Sequence, residues 1–526
     1  MHDLLNEPLI RYRTNGGNVT LAALPQVYSA LIGGEITSFP ALRPHQRHAW
    51  HAFLVQLGTM ALHRSGRNQG PFPDDADDWS GLLRYLTSDY LDDDPWHLVV
   101  SDIAKPAFMQ PPSKSTERER DFRFVVSTPD QLDVLVTSRN HELKVAVAAE
   151  ARCDDWIFAL VTLQTMEGYQ GSHNYGISRM PSGYGNRSAF TLTPTTDLCG
   201  HFRHDLSVLL SERHRILNEY GLADEGIQLL WTLPWDGRKV EKLAITQLDP
   251  FYIEICRRIR LQEMAGIISG LRAPSEDRRI FNYKGLVGDP WMPVGNRANA
   301  SGTPPAFLGS RKFNYERVIQ VFLSADWKRP LLLNSSYISA EGYLIARGML
   351  RGEGKTGGYH ERVIPLRRKT LDMLGSFQPD PLFKDVSLQR IKQAETIQVA
   401  LRYGIAAFAS GGADRRATNE ERSRARPWVA KLNASVDGSF FSDLQDELEE
   451  RTELERQSIR REWASQLVRD AERLLAQATA SLPCRQVKRH RASSAAERAF
   501  WGTLRGPNGI PDMLRQADLM GTQTNA

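Results

Sequence analysis

Cysteine is scarce: Cys153, Cys199, Cys256 and Cys484 are the only four in 526 residues, and no two form a C-x-x-C pair. That spacing argues against a structural zinc site and against a disulfide framework, and it suits a reducing cytoplasm. Long apolar runs are lacking too, since no window approaches the roughly 18 residues of a membrane-spanning helix. The opening MHDLLNEPLIRYR has neither an unbroken apolar core nor the small-residue cleavage site of a secretory signal. H-E-x-x-H, G-x-S-x-G and paired cysteines near a histidine are all absent. Charge of one sign is also missing: 66 Lys and Arg against 62 Asp and Glu leave a net +4. Any nucleic-acid contact must therefore come from local patches. Without a catalytic constellation, binding is the expected role.

One such patch is present. Arg347 to Lys369 reads RGMLRGEGKTGGYHERVIPLRRK, with seven Lys/Arg against two Glu, a local charge of +5. Five glycines, Gly348, Gly352, Gly354, Gly357 and Gly358, lie among those cations. Glycine lets backbone N–H groups approach a ligand closely, which suits phosphate or a nucleic-acid groove as well as a plain solvated turn. Gly354-Lys355-Thr356 resembles the end of a P-loop, but the first glycine of that motif falls on Met349. A P-loop lysine also opens a helix, and Gly357-Gly358 disfavour one here.

The pattern along the chain changes near residues 375–387, around Pro379-Asp380-Pro381. Upstream, Asn15-Gly16-Gly17 marks a hairpin, Leu21 to Leu31 reads as a helix, and residues 41–63 carry helical apolar spacing. The Asp-rich stretch 74–94 reads as an exposed helix and loop rather than a metal site. Trp156 to Val161 reads as a core helix, followed by about twenty residues rich in Gly, Ser, Asn and Tyr, a length typical of functional loops. Residues 276–345 look β-rich, with strands expected at Phe281–Tyr283, Val318–Leu323 and Leu331–Asn334. Downstream, Ser387–Ala409, Phe440–Leu482 and Ser493–Leu504 read as bundle helices. The expected class is α+β: a mixed α/β domain over 1–380, then a helical bundle, four helices, over 381–526. His201-Phe-Arg-His204-Asp205 hints at a metal phosphohydrolase, but the turn-rich setting expected around it favours surface polar residues. The three Pro-Trp steps at Trp96, Trp235 and Trp291 read as core aromatics.

Several motifs then occur in a telling order: LLNEPLI with NGG and LAALPQVYS, PAFMQPP at 106–112, the glycine-rich 167–187, FNYKGLVGDPWMPV at 281–294, and GEGKTGGYHER. In that order the chain resembles the CasA family, the large subunit of the type I-E CRISPR surveillance complex, Cascade. The resemblance spans most of the first 370 residues, while 195–275 match nothing. The chain lacks the central cysteine cluster of some members, and Pro8-Leu9-Ile10-Arg11 replaces a frequent Trp-Ile-Pro run.

The resemblance implies a non-catalytic subunit that reads the protospacer-adjacent motif (PAM) of target double-stranded DNA and wedges the duplex open to start an R-loop. Its implied partners are the crRNA-containing Cascade subunits (backbone, guide 5′-end and small subunits) and a helicase-nuclease; no membrane, metal or cofactor is implied. The wedge falls on Gly354, Lys355, Thr356 and Gly357, before Glu361-Arg362. Lys-Thr replaces the family's usual Asn and Gln there. The glycine loop falls on Gly168, Tyr169, Gln170 and Gly171, and Asn174 and Arg179 in the segment that follows are expected as further DNA contacts. A guide-proximal loop falls on Ser138, Arg139, Asn140 and His141, and the lysine-finger position on Asn296 or Arg297. The alternatives from other classes are a metal-dependent nuclease or phosphohydrolase and a P-loop-like nucleotide-binding protein.

Overall fold

NGG forms the first turn: β1 (Ile10–Thr14) and β2 (Val19–Ala22) pair antiparallel around it, Ile10 opposite Ala22 and Arg13 opposite Val19. The computed structural model describes residues 2–114, 120–133, 151–179, 183, 188–281, 288–295, 312–323, 327–352, 355–376 and 378–511, without the side chains of 350–352 and 355–357. Two compact units emerge, Met1–Phe313 with Ser324–Pro365, and Asn314–Leu323 with Leu366–Ala526.

In the first unit α1 (Leu24–Gly33) is followed by β3 (Ile36–Ser38), which completes the sheet order β2-β1-β3. The helix α2 (Arg47–Arg64) is buried on all sides along its central stretch, as a central helix must be. Every residue from His48 to Leu62 except His51 is buried. Around it pack α3 (Ala76–Tyr85), whose Trp79 stacks on Tyr28 at 4.3 Å, and, after β4 (Phe124–Val126), α4 (Cys153–Met166). Beyond β5 (Ser188–Thr193), α5 (Leu198–Tyr220) starts at an Asp197 cap that accepts from the Gly200 amide at 2.7 Å. That capping oxygen satisfies a donor the first turn leaves open.

Short strands fill the rest. β6 (Ile227–Leu229) and β7 (Leu248–Ile253) run parallel, while β8 (Arg258–Met264) and β9 (Ile267–Ala273) form a hairpin with β4 in the order β4-β9-β8. β10 (Val294–Gly295) pairs with β11 (Trp327–Lys328). β12 (Gly342–Gly352) and β13 (Lys355–Leu366) form the sheet β13-β12-β5, with Tyr343 opposite Thr193 and Gly348 opposite Ser188. Trp96, Trp235 and Trp291 are buried, as the Pro-Trp steps suggested.

The second unit is helical. α6 (Tyr315–Leu323) and α7 (Arg368–Leu374) precede α8 (Pro381–Ala409), a short α9 (Asn419–Ser423), α10 (Arg426–Glu449), α11 (Glu453–Ser481) and α12 (Gln486–Arg505). The long helices α8, α10, α11 and α12 pack as a four-helix bundle, giving the α+β class expected. Arg390 is fully buried there, ion-paired to Glu447 at 2.7 Å.

Three expectations are corrected. Val318–Leu323 is helix, because Tyr315, Val318, Ile319 and Phe322 put one apolar stripe on α8 and α10 despite their β-branched look. Leu331–Leu333 is a 3₁₀ turn, not a strand. His201 and Asp205 are not surface polar residues in turns: both are buried on the 23-residue α5.

Candidate nucleic-acid interface

The glycine-rich segment leaves α4 at Glu167 and closes on itself. The Gln170 amide donates to the Asn174 carbonyl at 3.0 Å, the Asn174 amide to the Gly171 carbonyl at 3.1 Å, and the Ile177 amide to the Glu167 carbonyl at 3.0 Å. The result is a pinched turn whose apex faces solvent and whose base is buried. Tyr169 is 45% exposed, its ring 5.8 Å from that of Tyr175. Gly171 has φ +107° with open space where a Cβ would go. At the base the strands of the turn touch backbone to backbone: a Cβ on Gly176 would lie 2.4 Å from the Gly168 carbonyl carbon.

Buried polar groups hold that base. The Arg257 guanidinium donates to the Gly168 carbonyl at 2.9 Å. The Glu254 carboxylate accepts from the amides of Ser178 at 2.6 Å and Arg179 at 3.0 Å. Burial pushes the Glu254 carboxyl above its usual range, against the pull of those amides. Arg179 points inward: its guanidinium lies 4.0 Å from the Tyr252 ring centroid and donates to the carbonyls of Gly288 (3.0 Å) and Pro250 (3.2 Å). At 7% exposure it braces the turn rather than displaying a cation. Glu254, Arg257 and Gly176 are residues that sequence reasoning missed. The first two act from more than 70 positions away, which no local pattern reveals.

The cationic stretch is a β-hairpin. Lys355, Thr356 and Gly357 open β13, whereas Gly354 lies outside the described residues, as do Ser138, Arg139, Asn140, His141, Asn296 and Arg297. A strand, not a helix, follows Lys355, which removes the P-loop context. Arg347 on β12 donates to Glu361 on β13 at 2.7 Å, and the Tyr359 hydroxyl donates to the same carboxylate oxygen at 2.7 Å. Burial pushes the Glu361 carboxyl up, but Arg347 and the Tyr359 hydroxyl outweigh it and hold it below its usual range. Arg362 donates to the Phe313 carbonyl at 2.6 Å.

In the helical unit, Arg415, Arg416 and Arg422 line a cavity of about 350 Å³ beside Tyr403 and Gly412. Arg415 is engaged by Glu421 at 2.6 Å, which holds that carboxyl down to about 2. Arg424 lies 3.4 Å from Glu420.

These features define a class: a two-unit α+β protein presenting a braced glycine turn and a cationic hairpin, joined in sequence to a helical bundle. That architecture is the fold of the CRISPR-associated proteins Cse1 and CasA. Cse1 from Acidimicrobium ferrooxidans superposes with a TM-score of 0.65 at 16% identity, over 98% of either chain. CasA from Thermus thermophilus gives 0.64 at 15%, over 95% of this chain and 99% of its own. Cse1 from Thermobifida fusca gives 0.65 at 15%, over 99% and 98%. No family model matches the sequence, and neither does any curated protein. The likeness is therefore one of fold. Among the described residues no helix is long and apolar enough to cross a membrane.

Proposed function

We propose that this chain is a CasA-type large subunit of a type I-E-like Cascade complex, a non-catalytic protein that reads the PAM in duplex DNA. The observation that carries the reading is the shared fold over 98% of this chain and of Cse1, taken with the ordered motifs in the sequence. The minor groove distinguishes mainly A·T from G·C, so a turn offering backbone, Tyr169 and Gln170 groups serves for a short, tolerant motif. The glycine turn suits that task because its apex is exposed while its base is braced. The Gly354–Gly357 segment acts as the wedge. Separating each base-pair step costs roughly 1–2 kcal/mol, which guide pairing and cationic contacts offset. Guide pairing supplies sequence specificity, so the chain needs no catalytic residues of its own. The helical unit docks on neighbouring subunits, and the complex then recruits a helicase-nuclease.

The test is reconstitution of the guide-loaded complex with and without this chain. PAM-dependent duplex binding and R-loop yield should require it. Undiminished R-loop formation without the chain overturns the reading, and DNA cleavage by the purified chain with Mn²⁺ favours the metal-dependent nuclease instead.

A further inference from the structure

Asp205 is fully buried in the first unit, and two imidazoles converge on one of its oxygens. His51, the one residue of the central stretch of α2 that is not fully buried, places Nε2 2.8 Å from Asp205 Oδ2. His201, one turn before Asp205 on α5, places Nε2 3.3 Å from the same oxygen. The i, i+4 spacing puts these two side chains on one face of the helix. The His51 and His201 rings lie 4.3 Å apart, and the three ligand atoms all fall within 4.8 Å of one another. His201 Nε2 has no hydrogen bond of acceptable geometry, although the residue is only 4% exposed. A buried polar nitrogen left in that state is costly and calls for a partner. Beside the cluster opens a cavity of about 380 Å³, lined by His51 and His201 together with Arg47, Arg347 and Glu361.

We propose that His51, His201 and Asp205 form a three-ligand site for a divalent transition metal of the zinc type, with a further position facing that cavity. Three features support it independently. The spacing fits: zinc–ligand bonds of about 2.0–2.2 Å in a tetrahedron separate ligand atoms by roughly 3.3 Å. The measured separations to Asp205 are 2.8 and 3.3 Å, so only small side-chain adjustments are needed. Two imidazoles and one carboxylate select zinc, cobalt or nickel over calcium or magnesium, which take oxygen ligands. The outer groups that orient ligands are also in place. Trp291 Nε1 donates to Asp205 Oδ2 at 3.3 Å and the Thr191 hydroxyl to Oδ1 at 3.4 Å. The ion would cross-link α2 to α5, the two helices at the centre of the first unit, and the cavity supplies its entry path.

The experiment uses the full-length chain, stripped with a chelator and titrated with Co²⁺ while the visible spectrum is recorded. About one equivalent should bind with the intense d–d bands of a low-coordinate site, zinc should displace it, and zinc should raise the melting temperature. H201Q and D205N keep side-chain volume and should weaken binding at least about tenfold. His204 lies on the same helix outside the cluster, so H204Q should bind as the natural chain does. Failure of the natural chain to bind a stoichiometric ion overturns the proposal whether or not the variants fold. So does binding that survives unchanged in folded H201Q and D205N.

Discussion

Gly176 is a closer steric constraint on the glycine turn than Gly171, which the motif singles out. Its φ is not positive; what matters is that a methyl would sit 2.4 Å from the Gly168 carbonyl carbon, inside rigid backbone. G176A should therefore spread the base of the turn, at a cost of about 1–3 kcal/mol. PAM-dependent binding should fall while pairing of the guide with pre-opened target strand stays intact; equal affinity for PAM duplex in G176A would remove the turn from recognition. Gly171 differs, since a Cβ there meets open space and is penalised only by φ +107°. Arg179 makes the complementary case. A cation on phosphate would lower the salt slope of DNA affinity by about one unit when removed. Held on Tyr252 and two carbonyls, it should do something else. R179A leaves the buried Gly288 and Pro250 carbonyls without their donor and removes the contact with Tyr252, so thermal stability should drop by about 1–3 kcal/mol with the salt slope unchanged. A slope that falls by one with stability intact would return Arg179 to the DNA.

At the scale of elements, the β12–β13 hairpin shows how tertiary pairing overrides local glycine content. The stretch reads as a flexible loop because five glycines weaken any propensity, yet Gly348 is locked opposite Ser188 on the fully buried β5. Among the described residues, pairing with β5 ends there. Four more residues to Gly352 carry the strand about 13 Å farther. The end of β12 thus extends beyond its pairing with β5, which suits the wedge proposed above. Lys355→Ala with Thr356→Ala should lower R-loop yield by the assembled complex and leave assembly alone. Normal R-loop yield would show that these residues play no part in strand opening. The same override explains the helix at 315–323, where propensity pointed to a strand but the apolar stripe fits the bundle. A break inside 440–482 is legible in the sequence: Thr452 and Glu455 form a capping box that starts α11 after α10 ends at Glu449. By contrast, the His51–Asp205 contact joins residues 154 apart, and no spacing rule on one helix reaches across that interval.

Taken whole, the chain is organised less simply than one break near 380 suggests. The helical unit borrows Asn314–Leu323 from the middle of the sequence and takes in the chain from Leu366 onward. Composition marks the later shift because Pro379-Asp380-Pro381 starts α8, whereas a nine-residue helix embedded in another domain's sequence leaves no such mark. The arginine turn of this unit is also less basic than its five arginines imply. Asp414, Glu420 and Glu421 reduce the 414–426 charge to +2, and Arg415 is already paired with Glu421. Neutralising all five arginines should still flatten the salt dependence of full-complex DNA binding if they contact the displaced strand. An unchanged slope across a salt series leaves them as a solvated loop. The borrowed helix yields the sharper prediction. Tyr315 stacks on Phe440 at 4.5 Å, its amide donates to Asp437 at 2.7 Å, and Val318, Ile319, Val321 and Phe322 are buried. Each such side chain contributes about 1.5–3 kcal/mol when removed from water. Residues 366–526 expressed alone should thus be helical by circular dichroism yet melt broadly and bind a hydrophobic dye through the uncovered groove. Appending 314–323 through a flexible linker should sharpen the melt and abolish dye binding. A cooperative, dye-free 366–526 fragment would mean that α6 is an ornament on a bundle already complete without it.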